Sequence, residues 1–392
     1  MFTFKHKPCA WSSAEFWLIV GAEDGDGEAR VEIAVIGGGN GGYAAAADLA
    51  EHGHGVRLWR RDPEAFQPVL DMQSLLLHDA MGTREVRLGL ATTDLGAALR
   101  DTELVILPVP AFAQPELARA MAAHLVEGQI VLMPPGSFGS YVLDRELRRA
   151  GIDATLVFAE SGTLPWLARK HGPREIAITA RATRLPTGIY PTRHVDWAFG
   201  KLREAFPAIE ERRDALDAAL LNAGPIIHPP LILMNAGPLE HLPEWDIHNE
   251  GTQPAIRRVT DALDGERIAL REALGYGAPH FPLADHYNPD GEEWMYGRRA
   301  HTRLVDSADW RERIDLERHR YMREDVAIGL AFLVSLAEWA GVDAPIARGL
   351  LALGGAVVGE DLRRTGRTLE TLDLARLRKI DMQHLLRDGL YS

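Results

Sequence analysis

The sequence predicts an α/β domain built on a mostly parallel, doubly wound sheet, followed by a mostly α-helical domain. Three observations predict it. Residues 31–62 read as strand, glycine turn, helix and strand; short apolar runs then alternate with helical stretches to about residue 205; and from about Pro207 long helical periods replace them. The expected organisation is an extension over 1–30, a dinucleotide-binding domain over 31–205 and a helical domain over 206–392.

The extension is set apart because Phe16 to Val20 is too short for the apolar region of a signal peptide and runs into the acidic, glycine-rich GAEDGDGEAR. An extra edge strand or an arm on another subunit is the competing reading of these residues. Val31, Ile33, Val35 and Ile36 then form a β-branched run that ends where Gly37, Gly39 and Gly42 fall in GxGxxG spacing. Gly37 permits a tight turn, Gly39 opens the backbone to a pyrophosphate beside Asn40, and Gly42 lets the helix lie close to the strand. The alanine-rich helix from about Gly41 to His52 aims its free N–H groups at the phosphates, Gly53 ends it, and Val56 to Trp59 is the second strand of a Rossmann-type unit. After that strand an NAD site usually has an acid for the ribose, whereas this chain has Arg60 and Arg61, which favours the 2′-phosphate of NADP; with both arginines solvated and Asp62 on the ribose, the cofactor is NAD.

Leu104 to Pro108, Ile130 to Met133 and Leu156 to Phe158 continue as buried parallel strands, and Ile176 to Thr179 and Thr187 to Tyr190 read as further strands. Ligands on such a sheet bind beyond its carboxyl ends, so the loops carrying Pro108 and Pro110, Gly136, and Glu160 are the expected floor of the cofactor cleft. In the second half, Val326, Leu330, Leu333, Leu336 and Ala340 recur at helical intervals over Tyr321 to Ala340, with Gly341 as cap and Pro345 preventing continuation.

At 392 residues and 46% hydrophobic content the chain is long enough for two packed domains. A net charge of −13 argues against nucleic acid, and no uninterrupted apolar run of about 18 residues argues for a membrane. Cys9, the one cysteine, excludes an internal disulfide framework and fits a reducing cytoplasm. His280, His286 and His301 have no compact ligand spacing, so no metal is expected.

NAGPIIHPPLILMNAG (222–237), RYMREDVAIGL (320–330) and GRTL (366–369), supported by VPAFA and AESGTLPW, resemble the octopine/nopaline (opine) dehydrogenase family over about residues 31–374. The resemblance implies condensation of an amino acid's α-amino group with a 2-oxo acid and reduction of the imine by NAD(P)H to a secondary-amine dicarboxylate. Amino acid or amine and 2-oxo acid are then the partners, and a homodimer is expected.

That chemistry needs a proton carrier, for which His228 is the candidate, expected at a helix N-terminus because Pro229 and Pro230 follow it. The resemblance assigns Asp325 as its carboxylate partner, Arg320 as receptor of the oxo-acid carboxylate and the adjacent Tyr321 as a substrate contact. Asn222 and Asn235 orient substrate or cap helices, Asn235 being the better cap. Each has a plainer alternative: a satisfied structural histidine, acids favoured in a helix's first turn, a surface ion pair. Ala327 stands where the family commonly has Pro, and Gly277 to Trp310, expected to line the amino-acid pocket, matches the better-known members poorly. The competing functions are a glycerol-3-phosphate-type dehydrogenase, which needs a basic cluster the helical half lacks, and a non-catalytic NAD(P)-binding regulator.

Overall fold

The computed structural model describes residues 30–390. Cys9 and, apart from Arg30, the extension expected over 1–30 lie outside the described residues. From Val31 onward the chain packs as one unit.

The first half runs β1 (Glu32–Ile36), α1 (Asn40–Glu51), β2 (Gly55–Trp59), β3 (Ser74–Asp79), β4 (Gly82–Arg87), β5 (Leu90–Thr92), β6 (Leu104–Ile106), β7 (Ile130–Met133), α2 (Gly139–Arg149), β8 (Val157–Ser161), β9 (Trp166–Lys170), β10 (Glu175–Arg181), β11 (Leu185–Tyr190), α3 (Val195–Ala205) and β12 (Ile209–Glu211). Eight of these strands form the main sheet, in the order β12-β11-β8-β7-β6-β1-β2-β5. From β5 to β8 every pairing is parallel, and β1 lies between β2 and β6. The strand order reverses there, opening a crevice at the carboxyl end of β1 where the glycine turn sits.

Both further strands are present, outside the parallel run. Thr187 to Tyr190 belongs to β11, which is antiparallel to β8, and Ile176 to Thr179 belongs to β10, in a separate four-stranded sheet of order β4-β3-β10-β9. β12 carries the main sheet past residue 205 to Glu211; its three residues are too short and polar to register as an apolar run.

In the second half, α4 (Gly224–Leu233) and α5 (Pro254–Ala273) lead through irregular chain to α6 (Tyr321–Leu330), α7 (Ala331–Ala340) and α8 (Pro345–Val358). The helix expected over Tyr321 to Ala340 is present and Gly341 caps it at φ 76°, but its first ten residues, α6, are π-helical. Such wider turns are concentrated at functional sites. Ala215–Leu233 reaches a mean hydropathy of 1.2 over a window long enough for a span, but 72% of that window is buried inside the fold. The turn between Ala219 and Gly224 also breaks it into two helices.

Helix α4 packs tightly on α6. A Cβ on Gly329 would lie 2.1 Å from Cγ of Pro225, and one on Gly224 would lie 2.3 Å from Oδ1 of Asp325. Two glycines thus set the distance between the segments that carry His228 and Asp325.

Candidate active site

The glycine turn has the shape a dinucleotide needs. Gly37 has φ 133°; a Cβ on Gly42 would lie 1.8 Å from the Gly37 carbonyl oxygen, so only glycine lets α1 start so close to β1. A Cβ on Gly39 would meet nothing within 4 Å, leaving its face open to a ligand. Pro108 closes the turn from the β6 side, with its Cβ 3.1 Å from where a Gly41 Cβ would stand.

Of the two arginines, Arg60 folds over the turn, its Cδ 2.4 Å from where a Gly38 Cβ would stand, while Arg61 points away to Glu116 at 2.6 Å. Asp62 accepts from the backbone N–H groups of Glu64 and Ala65 and lies 3.8 Å from Arg60, so its carboxylate is already engaged. Asn40 uses its Oδ1 to accept from the Lys170 backbone N–H at 3.0 Å.

Two residues expected on the cleft floor turn inward. Glu160 is fully buried: it accepts from the Phe138 and Ser140 N–H groups, each at 2.8 Å, and from the Ser140 hydroxyl at 2.6 Å. Its carboxylate caps the start of α2 and does not face the cofactor. Gly136 is packed against it, because a Cβ would lie 2.4 Å from the Glu160 carboxylate. The sequence locates both at strand ends but cannot tell which way they face.

Pro110 precedes a 3-10 turn whose Ala111 N–H donates to Glu324 at 3.0 Å. Arg367, of the GRTL segment, donates to the carbonyls of Ala111 (3.1 Å), Gly136 (3.2 Å) and Ser137 (2.7 Å) and to Oε1 of Gln114 (2.9 Å). Burial lowers its pKa to about 10, so it remains a cation at neutral pH and ties both cleft loops to the helical half. The motif that contains Arg367 was visible in the sequence; that its guanidinium faces carbonyls was not.

At the centre, Nδ1 of His228 lies 2.7 Å from Oδ2 of Asp325, with the side chains 14% and 7% exposed. While Asp325 is ionised it can only accept, so Nδ1 carries the proton and Nε2 is free to accept one from substrate; when Asp325 is protonated it donates to Nδ1, and Nε2 carries a proton to give. His228 is not at the helix N-terminus: α4 begins four residues earlier at Gly224, Pro225 takes the first-turn position, and Pro229 and Pro230 lie inside the helix. The dipole therefore matters less than burial, which pushes the His228 pKa well below its usual value, helped by Arg320 and Arg169. Burial raises Asp325 to about 7, opposed by Arg320.

Tyr321 stacks on His228 with ring centroids 3.9 Å apart and 23° between planes, and its buried hydroxyl has no hydrogen-bond partner among the described residues. The guanidinium carbon of Arg320 lies 4.8 Å from the Tyr321 ring centroid, and no carboxylate among the described residues comes within ion-pair distance of it. Burial works against its charge, but Tyr321, Asp325, Glu324 and Glu312 outweigh that and raise its pKa. It is an accessible cation, ringed by protein and suited to a planar anion.

Asn222 is committed elsewhere. Its amide donates to the Ser137 hydroxyl at 2.9 Å and its oxygen accepts from the Gly224 N–H at 3.0 Å, so it fixes the start of α4. Asn235 precedes a short helix at Ala236–His241 but bonds its side chain to the Leu231 and Gly251 carbonyls. From the 277–310 segment, Trp310 meets His248 edge-on at 6.4 Å, and His248 meets His228 at 5.8 Å. Among the described residues no three His, Cys, Asp or Glu side chains are placed to hold a metal ion.

A nucleotide crevice joined to an imidazole–carboxylate pair and a free guanidinium defines a two-domain NAD(P)-dependent oxidoreductase. Residues 32–134 match the family model of the NAD-dependent glycerol-3-phosphate dehydrogenase N-terminus, and residues 211–358, which begin where the sheet ends, match that of the NAD/NADP octopine/nopaline dehydrogenase, alpha-helical domain. The chain is 26% identical to the opine dehydrogenase of Arthrobacter sp. (strain 1C) over 351 residues, 88% of this chain and 95% of that one. Among solved structures it resembles octopine dehydrogenase in complex with NADH and agmatine (TM-score 0.69, 19% identity, 92% of this chain and 99% of that one) and NADP+-bound yersinopine dehydrogenase (TM-score 0.62, 16% identity, 92% and 98%). The chain is an NAD(P)-dependent oxidoreductase that is similar to opine dehydrogenases over most of its length; its likeness to the glycerol-3-phosphate enzymes stops within the nucleotide half.

Proposed function

We propose that the protein condenses an amino acid or amine with a 2-oxo acid and reduces the imine to an N-(carboxyalkyl) amino acid, and catalyses the reverse oxidation. The observation that carries this is the His228–Asp325 pair beside the unpaired Arg320. Arg320 holds the oxo-acid carboxylate and orients its carbonyl, with Tyr321 forming the wall behind. His228, oriented by Asp325, passes a proton to the carbinolamine hydroxyl so that it leaves as water. The bound nicotinamide supplies the hydride to the imine carbon, and the secondary amine then forms at the nitrogen. In reverse, Nε2 of neutral His228 accepts the proton that the amine loses.

NADPH is the donor we favour, because Arg60 covers the turn while Asp62 is engaged; a relative of the same fold is described with NADP+ bound. One relative is described with NADH and pyruvate, which supports a small 2-oxo acid. We assign the protein to the cytoplasm, where a single cysteine suits reducing conditions. We also assign it a homodimeric state, for which Leu353 and Val357, exposed on α8, provide apolar surface.

The test is a panel following NADPH and NADH oxidation with pyruvate, glyoxylate or 2-oxoglutarate, each with and without amino acids or amines, with product masses. Oxidation that requires both organic partners supports the reading. Reduction of the oxo acid alone rejects it.

A further inference from the structure

Strand β9 ends beside the glycine turn, and its last residue brings a cation there. The ammonium of Lys170 donates to the Gly38 carbonyl at 3.2 Å and lies 3.5 Å from the Tyr43 ring centroid. No carboxylate among the described residues pairs with it. Its place is fixed by the backbone, since the Lys170 N–H donates to Asn40 at the start of α1. Alternation along the strand sends the neighbouring Arg169 to the other face, where it pairs with Glu312 at 2.8 Å.

Arg60 meets Lys170 from the β2 side. Its Cδ stands 2.4 Å from where a Gly38 Cβ would be, and its charge bears on both Lys170 and Tyr43. Two cationic side chains thus meet at Gly38, Lys170 on its carbonyl and the stem of Arg60 over its Cα, with the Arg60 guanidinium on the Ala65 carbonyl at 3.3 Å and only the engaged Asp62 near it. Burial, and then Arg60, lowers the Lys170 pKa to about 8, the signature of an ammonium that lacks an anion. The pyrophosphate belongs over the open face of Gly39 and the first N–H groups of α1. The adenosine ribose belongs at the end of β2, where Arg60 begins and toward which Lys170 reaches.

We propose that Lys170 joins Arg60 in a two-cation site for the 2′-phosphate of NADP(H), and so determines cofactor choice. The proposal rests on the NADPH reading and adds a residue from a different sheet to it.

The test measures Kd for NADPH and NADH by protein fluorescence quenching in wild type, Lys170→Met and Lys170→Arg, with melting temperatures as a check on folding. Lys170→Met is expected to weaken NADPH about tenfold or more and NADH less than about twofold, with Lys170→Arg restoring most of the difference. Equal weakening of both nucleotides, or an NADPH preference that survives Lys170→Met, overturns the assignment of Lys170 alone. Wild-type protein that binds both equally removes the NADPH reading, and this proposal with it.

Discussion

Gly329→Ala tests whether helix spacing controls the chemistry. The new Cβ would stand 2.1 Å from Cγ of Pro225, short of the 3.4 Å of ordinary contact by about 1.3 Å, and the obstacle is a rigid ring. Neither helix can give way locally, so α4 and α6 must move apart by about 1 Å, at a cost of about 1–3 kcal/mol. His228 is three residues beyond Pro225 on α4, and Asp325 one turn before Gly329 on α6. The same displacement stretches the 2.7 Å bond past the 3.5 Å limit of a hydrogen bond. A misplacement of about 1 Å in such a group costs on the order of 10²-fold in rate. Steady-state kinetics should show kcat down about 100-fold with the Kd for NADPH within about twofold of wild type, because the glycine turn lies in the other half of the fold. A stable, folded variant with wild-type kcat would refute the claim that this contact sets the pair's geometry.

Other perturbations separate the remaining roles. Because burial raises Asp325 and the adjacent Glu324 each to about 7 and lowers His228, the imidazole–carboxylate pair holds a second proton below about pH 7 and only one above it. The reductive kcat/KM should therefore be level below about pH 7 and fall above it, the oxidative profile should rise over the same range, and Asp325→Asn should abolish both inflections. Arg320→Ala should raise the KM of the oxo acid at least about tenfold and leave the KM of the nucleotide unchanged; equal effects on both would make Arg320 structural. Arg367→Met deprives the Ser137 carbonyl and Oε1 of Gln114 of this donor, at about 1–3 kcal/mol each, while the Gly136 and Ala111 carbonyls keep other N–H donors. Calorimetry should find the melting temperature lowered by several degrees, with the KM for NADPH raised as the Ala111 and Gly136 loops loosen.

The parts legible in the sequence are those whose physics is local. Gly37, Gly39 and Gly42 announce their turn by spacing, because a Cβ at Gly42 has nowhere to go whatever the rest of the chain does. His228 and Asp325, 97 positions apart, were joined through a family resemblance, since no local pattern links them. Pro229 and Pro230 misplaced the helix start, because prolines favour a first turn, yet here Pro225 fills that position. The π-helical turns of α6 are a matter of backbone hydrogen bonding, which the apolar spacing that locates the helix does not report. In the small sheet, β4 and β9 carry no continuous buried run, and β4 has exposed, polar positions such as Gly82 to Glu85, whereas the buried Leu75 and Leu77 of β3 are too few to stand out as a strand. Lys170 was hidden for that reason.

The measurement closest to the central claim is turnover by His228→Ala with nucleotide affinity determined on the same sample. The kcat should fall by about 10²–10⁴ with the NADPH Kd unchanged, since the imidazole moves protons and does not touch the glycine turn. Turnover within a few-fold of wild type would contradict it.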